Sequence, residues 1–356
     1  MEAYTLPKPR YTPEVRRILR IEQGLGMLAR MVLPLFSEPL VVQGVTSFDE
    51  EKRPHLYIVK HESYRDNVTL LALNHLVVHA EPVRVMGKKL YEKIPLLNQF
   101  LFTVSRTRYD AFASDEEKQR AREQNRAVLD SELETALRTG VNLGVLPEGT
   151  TKTDGSLWKL GKGAYMLSRV RDKKLYCIFI GSTEDLLCGK PLWRIPRAQT
   201  FFALSDVHVP PCDTLEEFTK YTYTQFTHLN TLTTSQLAGH KVFKLLEEGG
   251  ESFTLVDIVE TLAKGVTAAR EHKLFFDPSL ETEEGLITRY KRFCESLERK
   301  GYTQGYRITY KLFKDRIYTR PHLERFKKEN PLLYHVNRIR SCARYDQNIE
   351  SVLEQI

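Results

Sequence analysis

No stretch of this chain approaches the roughly 18 consecutive apolar residues that a membrane-spanning helix needs, so no such helix is expected. The first eleven residues are polar and hold two prolines, which does not read as a secretory leader. Cysteine is scarce, with five residues at 177, 188, 212, 294 and 342 and no close pair among them. That spacing argues against a zinc site or a redox dithiol and suits a reducing cytosol. Internal repeats, low-complexity tracts and Gly/Ser linkers are missing too, as is a Gly-x-Ser-x-Gly nucleophile elbow. What the chain has in excess is positive charge: 53 Lys and Arg against 46 Asp and Glu, a net +7. Its natural partners are therefore anionic, whether phosphate groups, a membrane surface or nucleic acid. With 41% hydrophobic residues in 356, it can bury the core of one large or two ordinary domains.

Strand-like and helix-like patterns alternate up to about residue 212, which predicts an α/β layer architecture. Strands are expected near 40–45, 56–60, 82–86, 102–106, 141–146, 175–180 and 201–209. Helices are expected over 67–78, from Gly87 onward, over 115–139 and over 159–169. Before this region, residues 13–35 form an amphipathic pattern, with Val15, Ile18, Leu19, Leu25, Leu28 and Val32 at helical spacing and Arg16, Arg17 and Arg20 elsewhere on the wheel. Such a helix could lie in a lipid headgroup layer or pack on its own domain. Beyond Pro210-Pro211, strand signals fade and helices are expected over 233–247, 255–269 and 283–299. The division is thus 1–39, an amphipathic helical segment; 40–212, an α/β domain with a mixed sheet; and 213–356, a mostly helical, basic region. The segment 299–344 holds thirteen Lys or Arg against three acids, interleaved with Tyr302, Tyr306, Tyr310, Phe313 and Tyr318.

The chemistry centres on Leu56-Tyr57-Ile58-Val59-Lys60-His61-Glu62-Ser63-Tyr64-Arg65-Asp66-Asn67. An apolar run ends in a histidine, and a polar turn brings an aspartate five positions later, at the start of a helix-like segment. On one continuous helix, residues five apart point about 140° away from each other, but a bend between strand and helix lets them meet. The carboxylate of Asp66 could then fix the tautomer of His61 and leave its other ring nitrogen as a base. Spacing alone discriminates little, because His208–Asp213 and His272–Asp277 share it.

The blocks that follow His61 carry more information. His61-Glu62-Ser63-Tyr64-Arg65-Asp66, Phe102-Thr103-Val104-Ser105-Arg106 and Leu146-Pro147-Glu148-Gly149-Thr150 occur in that order. Gly87-Lys88-Lys89-Leu90 and Ile94-Pro95-Leu96-Leu97 precede the second block; Asp154-Gly155-Ser156-Leu157 and Lys162-Gly163-Ala164 follow the third. From about Leu40 to Val209 the chain resembles the glycerophospholipid acyltransferases, the family of the lysophosphatidate and glycerol-3-phosphate acyltransferases. The first block is similar to that family's His-x4-Asp motif, the second to its arginine-ending motif, and the third to its Phe-Pro-Glu-Gly-Thr motif.

The resemblance implies an acyltransferase-type α/β fold and transfer of a fatty acyl group from acyl-CoA or an acyl carrier protein. The implied acceptor is a hydroxyl of glycerol-3-phosphate or 1-acylglycerol-3-phosphate. His61 and Asp66 would be catalytic; Ser63, Arg106, Glu148, Gly149, Thr150 and Lys152 would bind substrate. Direct attack of the alcohol needs a base and no acyl-enzyme. A guanidinium at a strand end suits an acceptor phosphate, and the bend at 147–150 offers backbone N–H groups to an anion or developing oxyanion. Each residue also has a plainer reading: Arg106 as a surface cation, Glu148 as a turn support, Ser63 as a helix cap.

Departures from the family pattern concern the acceptor. Thr151 stands where the third motif usually has arginine, a role that Lys152 or Lys162 could take, and Ser105 stands where the second motif often has aspartate. Leu175-Tyr176-Cys177-Ile178-Phe179-Ile180 lacks the proline usual in the fourth motif. Leu332-Leu333-Tyr334-His335-Val336-Asn337-Arg338-Ile339 looks somewhat like the C-terminal part of glycerol-3-phosphate acyltransferases, which tilts the acceptor toward glycerol-3-phosphate. No cofactor is expected. The implied setting is cytoplasmic, on the periphery of an anionic membrane. Two other classes compete: a non-catalytic lipid-binding scaffold, and a nucleic-acid binder acting through 299–344, although no recognition motif of that class is present.

Overall fold

The computed structural model describes residues 38–44, 54–61, 83–88, 101–107, 111–149, 154–157, 159–170, 173–190, 197–322 and 325–356. The amphipathic segment expected over 13–35 and the helix expected over 67–78 lie outside the described residues.

The first part of the chain builds β1 (Val41–Gly44), β2 (His55–Val59), β3 (Val83–Lys88) and β4 (Leu101–Val104), then α1 (Asp115–Thr139) and β5 (Asn142–Val145). Helix α2 (Gly163–Leu167) is followed by the small hairpin β6 (Arg169–Val170) and β7 (Lys173–Lys174), and then by β8 (Tyr176–Asp185) and β9 (Gln199–Leu204). Seven strands form one mixed sheet in the order β1-β9-β8-β2-β5-β3-β4. Strands β8, β2, β5, β3 and β4 run parallel, β9 runs against β8, and β1 runs with β9. Every residue of β2, β5 and β9 is buried, as expected of central strands covered on both faces. Two predicted details differ. Gly87 and Lys88 finish β3 rather than open a helix, and the helix expected over 159–169 is only the five residues of α2. Gly161 and Gly163 break that pattern, since glycine is costly in a helix interior.

Helix α1 starts where Ser114 accepts the Glu117 N–H at 3.2 Å, with Asp115, Glu116 and Glu117 in its first turn complementing the dipole. It stops at Gly140, whose φ of 76° is open to glycine and strained for other residues. Leu129, Leu133 and Ala136 pack it on the sheet. Arg84 on β3 fastens it with two 2.7 Å contacts to Glu132. Burial holds the Glu132 carboxyl above its ordinary pKa in spite of that guanidinium.

The second part opens with α3 (Leu215–His228), which packs on the main sheet at β8, and then packs α4 (Thr234–Glu247), α5 (Leu255–Glu271) and α6 (Glu283–Arg299) with α7 (Lys314–Ile317), α8 (Phe326–Glu329), α9 (Pro331–Ala343) and α10 (Gln347–Gln355). A three-stranded antiparallel sheet also lies here, formed by β10 (Ser252–Thr254), β12 (Thr309–Leu312) and β11 (Thr303–Tyr306) in that order. It was not expected, because strands of three or four residues around Gly305 and Arg307 are too short to show alternation. The largest apolar cluster belongs to this second part, and it includes Leu187 and Cys188 from just beyond β8. The C-terminal elements are therefore seated on the carboxyl edge of the main sheet.

One titrating group in this region gives a testable pH effect. Desolvation, together with Arg340 and Lys244, pushes His240 down from 6.5 to about 4. The unfolded chain then binds the proton first, so stability falls as pH drops from 6.5 toward about 4. Urea midpoints measured at pH 7 and pH 5 should separate in wild type and lie closer together in His240→Gln; equal separation in both would remove His240 as the cause.

Candidate active site

The parallel strands β2, β5, β3 and β4 all end at the same edge, the place where open α/β sheets bind ligands. His61 lies two residues past β2 and is 6% exposed. The chain is held there from both sides. The Lys60 N–H donates to the Ile180 carbonyl at 2.9 Å, and the His61 N–H donates to Oε2 of Glu148 at 3.0 Å. Glu148 is 2% exposed and sits in the turn after β5. That turn closes through the Gly149 N–H to the Leu146 carbonyl at 2.9 Å, with Gly149 at φ 67°. The Gly161 N–H reaches the Pro147 carbonyl at 2.6 Å and brings α2 beside the turn. The first and third sequence blocks are thus joined by a buried carboxylate accepting from the backbone of the histidine itself.

Arg106, two residues past β4, lines a cleft of about 720 Å³ together with Glu148 and Gly149. The far wall is α1. Lys118, Arg122 and Arg126 recur every four residues, so they form one stripe facing the cleft, and Lys162 adds a cation at its mouth. Against these the lining offers Glu123 and Glu148, so the cleft is electropositive. Sequence reasoning missed the α1 cations, since a charged helix does not announce which face meets a cleft. It also missed Asn125, whose amide accepts from the Ser105 N–H at 2.8 Å and donates to the Ser105 carbonyl at 2.7 Å. Asn125 thereby fixes the backbone from which Arg106 projects.

Ser63, Asp66, Thr150 and Lys152 lie outside the described residues. The other two His–Asp spacings are not pairs. Nδ1 of His208 lies 2.8 Å from the Asp206 carbonyl and so carries the proton, which leaves Nε2 to accept from the Tyr221 hydroxyl at 2.7 Å. Asp213 faces Lys174 at 2.9 Å. His272 caps the C-terminus of α5, and Asp277 is in a buried ion pair with Arg289 at 2.8 Å.

Behind this carboxyl edge of the sheet lies a buried polar layer that the sequence did not suggest. Residues 230–236 are fully buried, although six of the seven are polar. Their partners come from the sheet. Lys60, wholly buried one residue before His61, donates from Nζ to Asn230 at 3.1 Å. Asn230 donates on to Gln236 at 3.1 Å. Asp185, at the end of β8, accepts from the N–H and the hydroxyl of Ser235. From α8, Lys327 meets buried Glu184 at 2.6 Å. From α9, Asn337 donates to the Asp154 carbonyl at 2.9 Å and Ser341 accepts from the Leu157 N–H at 3.0 Å.

Residues 40–180 match the family model described as Acyltransferase. No curated protein matches the chain. Among solved structures it is similar to the 1-acyl-sn-glycerophosphate (LPA) acyltransferase PlsC of Thermotoga maritima. That match has 18% identity and a TM-score of 0.41, and covers 59% of this chain and 78% of that one. With the ordered blocks and the family match, residues 40–180 form an acyltransferase domain.

Proposed function

We propose that this acyltransferase moves a fatty acyl group from acyl-CoA or an acyl carrier protein to a hydroxyl of glycerol-3-phosphate or 1-acylglycerol-3-phosphate, on the periphery of a membrane. The observation that carries the reading is the joining of His61 to Glu148 beside an electropositive cleft that Arg106 lines. His61 takes the proton of the acceptor hydroxyl as its oxygen attacks the thioester carbonyl. The C–O bond forms, the tetrahedral oxyanion collapses, the C–S bond breaks, and the proton passes to the departing thiolate. Asp66 holds the histidine tautomer, while Glu148 supports the strand end and the turn that presents Gly149 and Thr150 to the oxyanion. Ser63 and Lys152 complete the acceptor side. Among the described residues no helix is long and apolar enough to cross a membrane, which is compatible with peripheral attachment.

Thiol release from an acyl thioester, measured separately with glycerol-3-phosphate and with its 1-acyl derivative, tests the reading; no release with either acceptor and either donor would defeat it. Arg106→Ala should raise the acceptor KM more than the donor KM, because a guanidinium on the acceptor phosphate acts in ground and transition states alike. A defect confined to the donor side would reassign Arg106.

A further inference from the structure

Strands β11 and β12 form a hairpin closed by a two-residue loop, with Tyr306 opposite Thr309 and Arg307-Ile308 between them. Two-residue hairpin loops favour Gly, Asn or Asp, which tolerate positive φ. Here Arg307 holds a φ of 55°, and a β-branched isoleucine follows it. Local stability does not select this pair of residues, and departures of that kind tend to mark functional positions. The tip is also apolar and open: Tyr306 is 73% exposed and Ile308 55%. Val256, 54% exposed, is adjacent, since the N–H of Leu255 bonds the Ile308 carbonyl at 2.9 Å.

The base of the hairpin, by contrast, is firmly rooted. Tyr310 stacks on buried Phe253 at 5.1 Å and meets the Tyr290 hydroxyl at 3.2 Å, while Thr303 and Leu312 are buried. A rigid stem thus carries an exposed apolar end. Between residues 299 and 320 the chain has seven cations and one acid, Asp315. All seven cations are exposed, Arg307, Lys311, Lys314 and Arg320 among them. Two cations further along the basic segment are held in ion pairs, Lys327 with buried Glu184 and Arg340 with Glu247 at 2.8 Å. The segment that bears the hairpin is thus locally and openly positive.

We propose that the tip of this hairpin, Tyr306 and Ile308 with the exposed cations around it, is the surface by which the protein docks on an anionic lipid bilayer. The proposal rests on the reading of the enzyme as a maker of lipid. An aromatic residue with a polar end and a neighbouring aliphatic suit the headgroup boundary, and cations nearby are drawn to anionic headgroups within a Debye length. An apolar isoleucine at the apex fits acyl chains better than a phosphodiester backbone.

Co-sedimentation of the full chain with phosphatidylcholine vesicles, with and without phosphatidylglycerol, tests it. Wild type should bind the anionic vesicles and lose binding as salt rises. Tyr306→Ser with Ile308→Ser should weaken partitioning about tenfold, from the loss of buried apolar area. Lys311→Ser, Lys314→Ser and Arg320→Ser together should flatten the salt dependence. Thiol release with a water-soluble acceptor should stay unchanged in both variants. Wild-type binding that the tip variant retains in full would overturn the assignment of the surface while leaving the reaction intact. Equal wild-type binding to neutral and anionic vesicles, or binding of single-stranded DNA with no vesicle binding, would overturn it too. Vesicle binding as expected without thiol release would sustain the docking surface and defeat the proposed reaction.

Discussion

His61→Ala is expected to reduce turnover by on the order of 10²–10⁴-fold, the contribution of a positioned general base, with little change in thermal unfolding. The fold should persist because the side chain is not what holds the strand end. Backbone bonds from Lys60 to Ile180 and from His61 to Glu148 do that, and both survive the substitution. Asp66→Asn should fall in the same range, and the double variant should be little worse than either single one, since the two residues act as a unit. Near-normal turnover in folded His61→Ala protein would remove the mechanism; a double variant as slow as the product of both defects would separate the aspartate from the histidine.

Asp277→Ala should be the most destabilising of the substitutions considered, by about 3–5 kcal/mol, the usual cost of stranding a buried charge. Asp277 is 1% exposed; it accepts from the N–H and hydroxyl of Ser279 and pairs with the 6% exposed Arg289. Burial raises the Asp277 carboxyl above its ordinary value even beside that guanidinium, a sign of how dry the site is. Without the carboxylate, Arg289 keeps the Cys188 carbonyl at 3.2 Å but lacks its nearest countercharge. Urea unfolding would read the change directly, and a loss below 1 kcal/mol would mean that water or Glu38, 3.9 Å from Arg289, takes over.

The same pair shows how far sequence alone reaches. His272 and Asp277 have the spacing of His61 and Asp66, and nothing in the spacing says that one aspartate serves an arginine on the helix that follows it. Order and context were legible: the alternation that builds the mixed sheet, and α1 and α6 to the residue. Long-range partners were not. Glu148 was recognisable as a motif residue, but its bond to the backbone of His61 spans 87 positions. The sequence did not show that the polar run at 230–236 is buried, where Lys60, just past β2, and Thr183 and Asp185 of β8 meet it. Burial of polar residues is decided by who arrives opposite them, which local pattern does not encode. The cations of α1 are a milder case: their four-residue spacing was visible, and only the packing of Leu129 and Leu133 chooses which way the stripe faces.

The grip of the C-terminal elements on the carboxyl edge of the sheet also bears on the order in which the protein comes into being. The proposed site residues have all been synthesised by position 152, but Lys60, Glu184 and the 154–157 segment find their partners at Asn230, Lys327, Asn337 and Ser341. Emerging from the ribosome, the chain would carry the proposed site residues while the buried lysine awaits its amide at Asn230 and the sheet edge awaits its later partners Lys327, Asn337 and Ser341. Domains tend to fold as they emerge, and contacts of such sequence separation form late. A nascent or truncated chain should therefore carry every motif and remain idle, its acyl transfer withheld until the last helices close over the sheet.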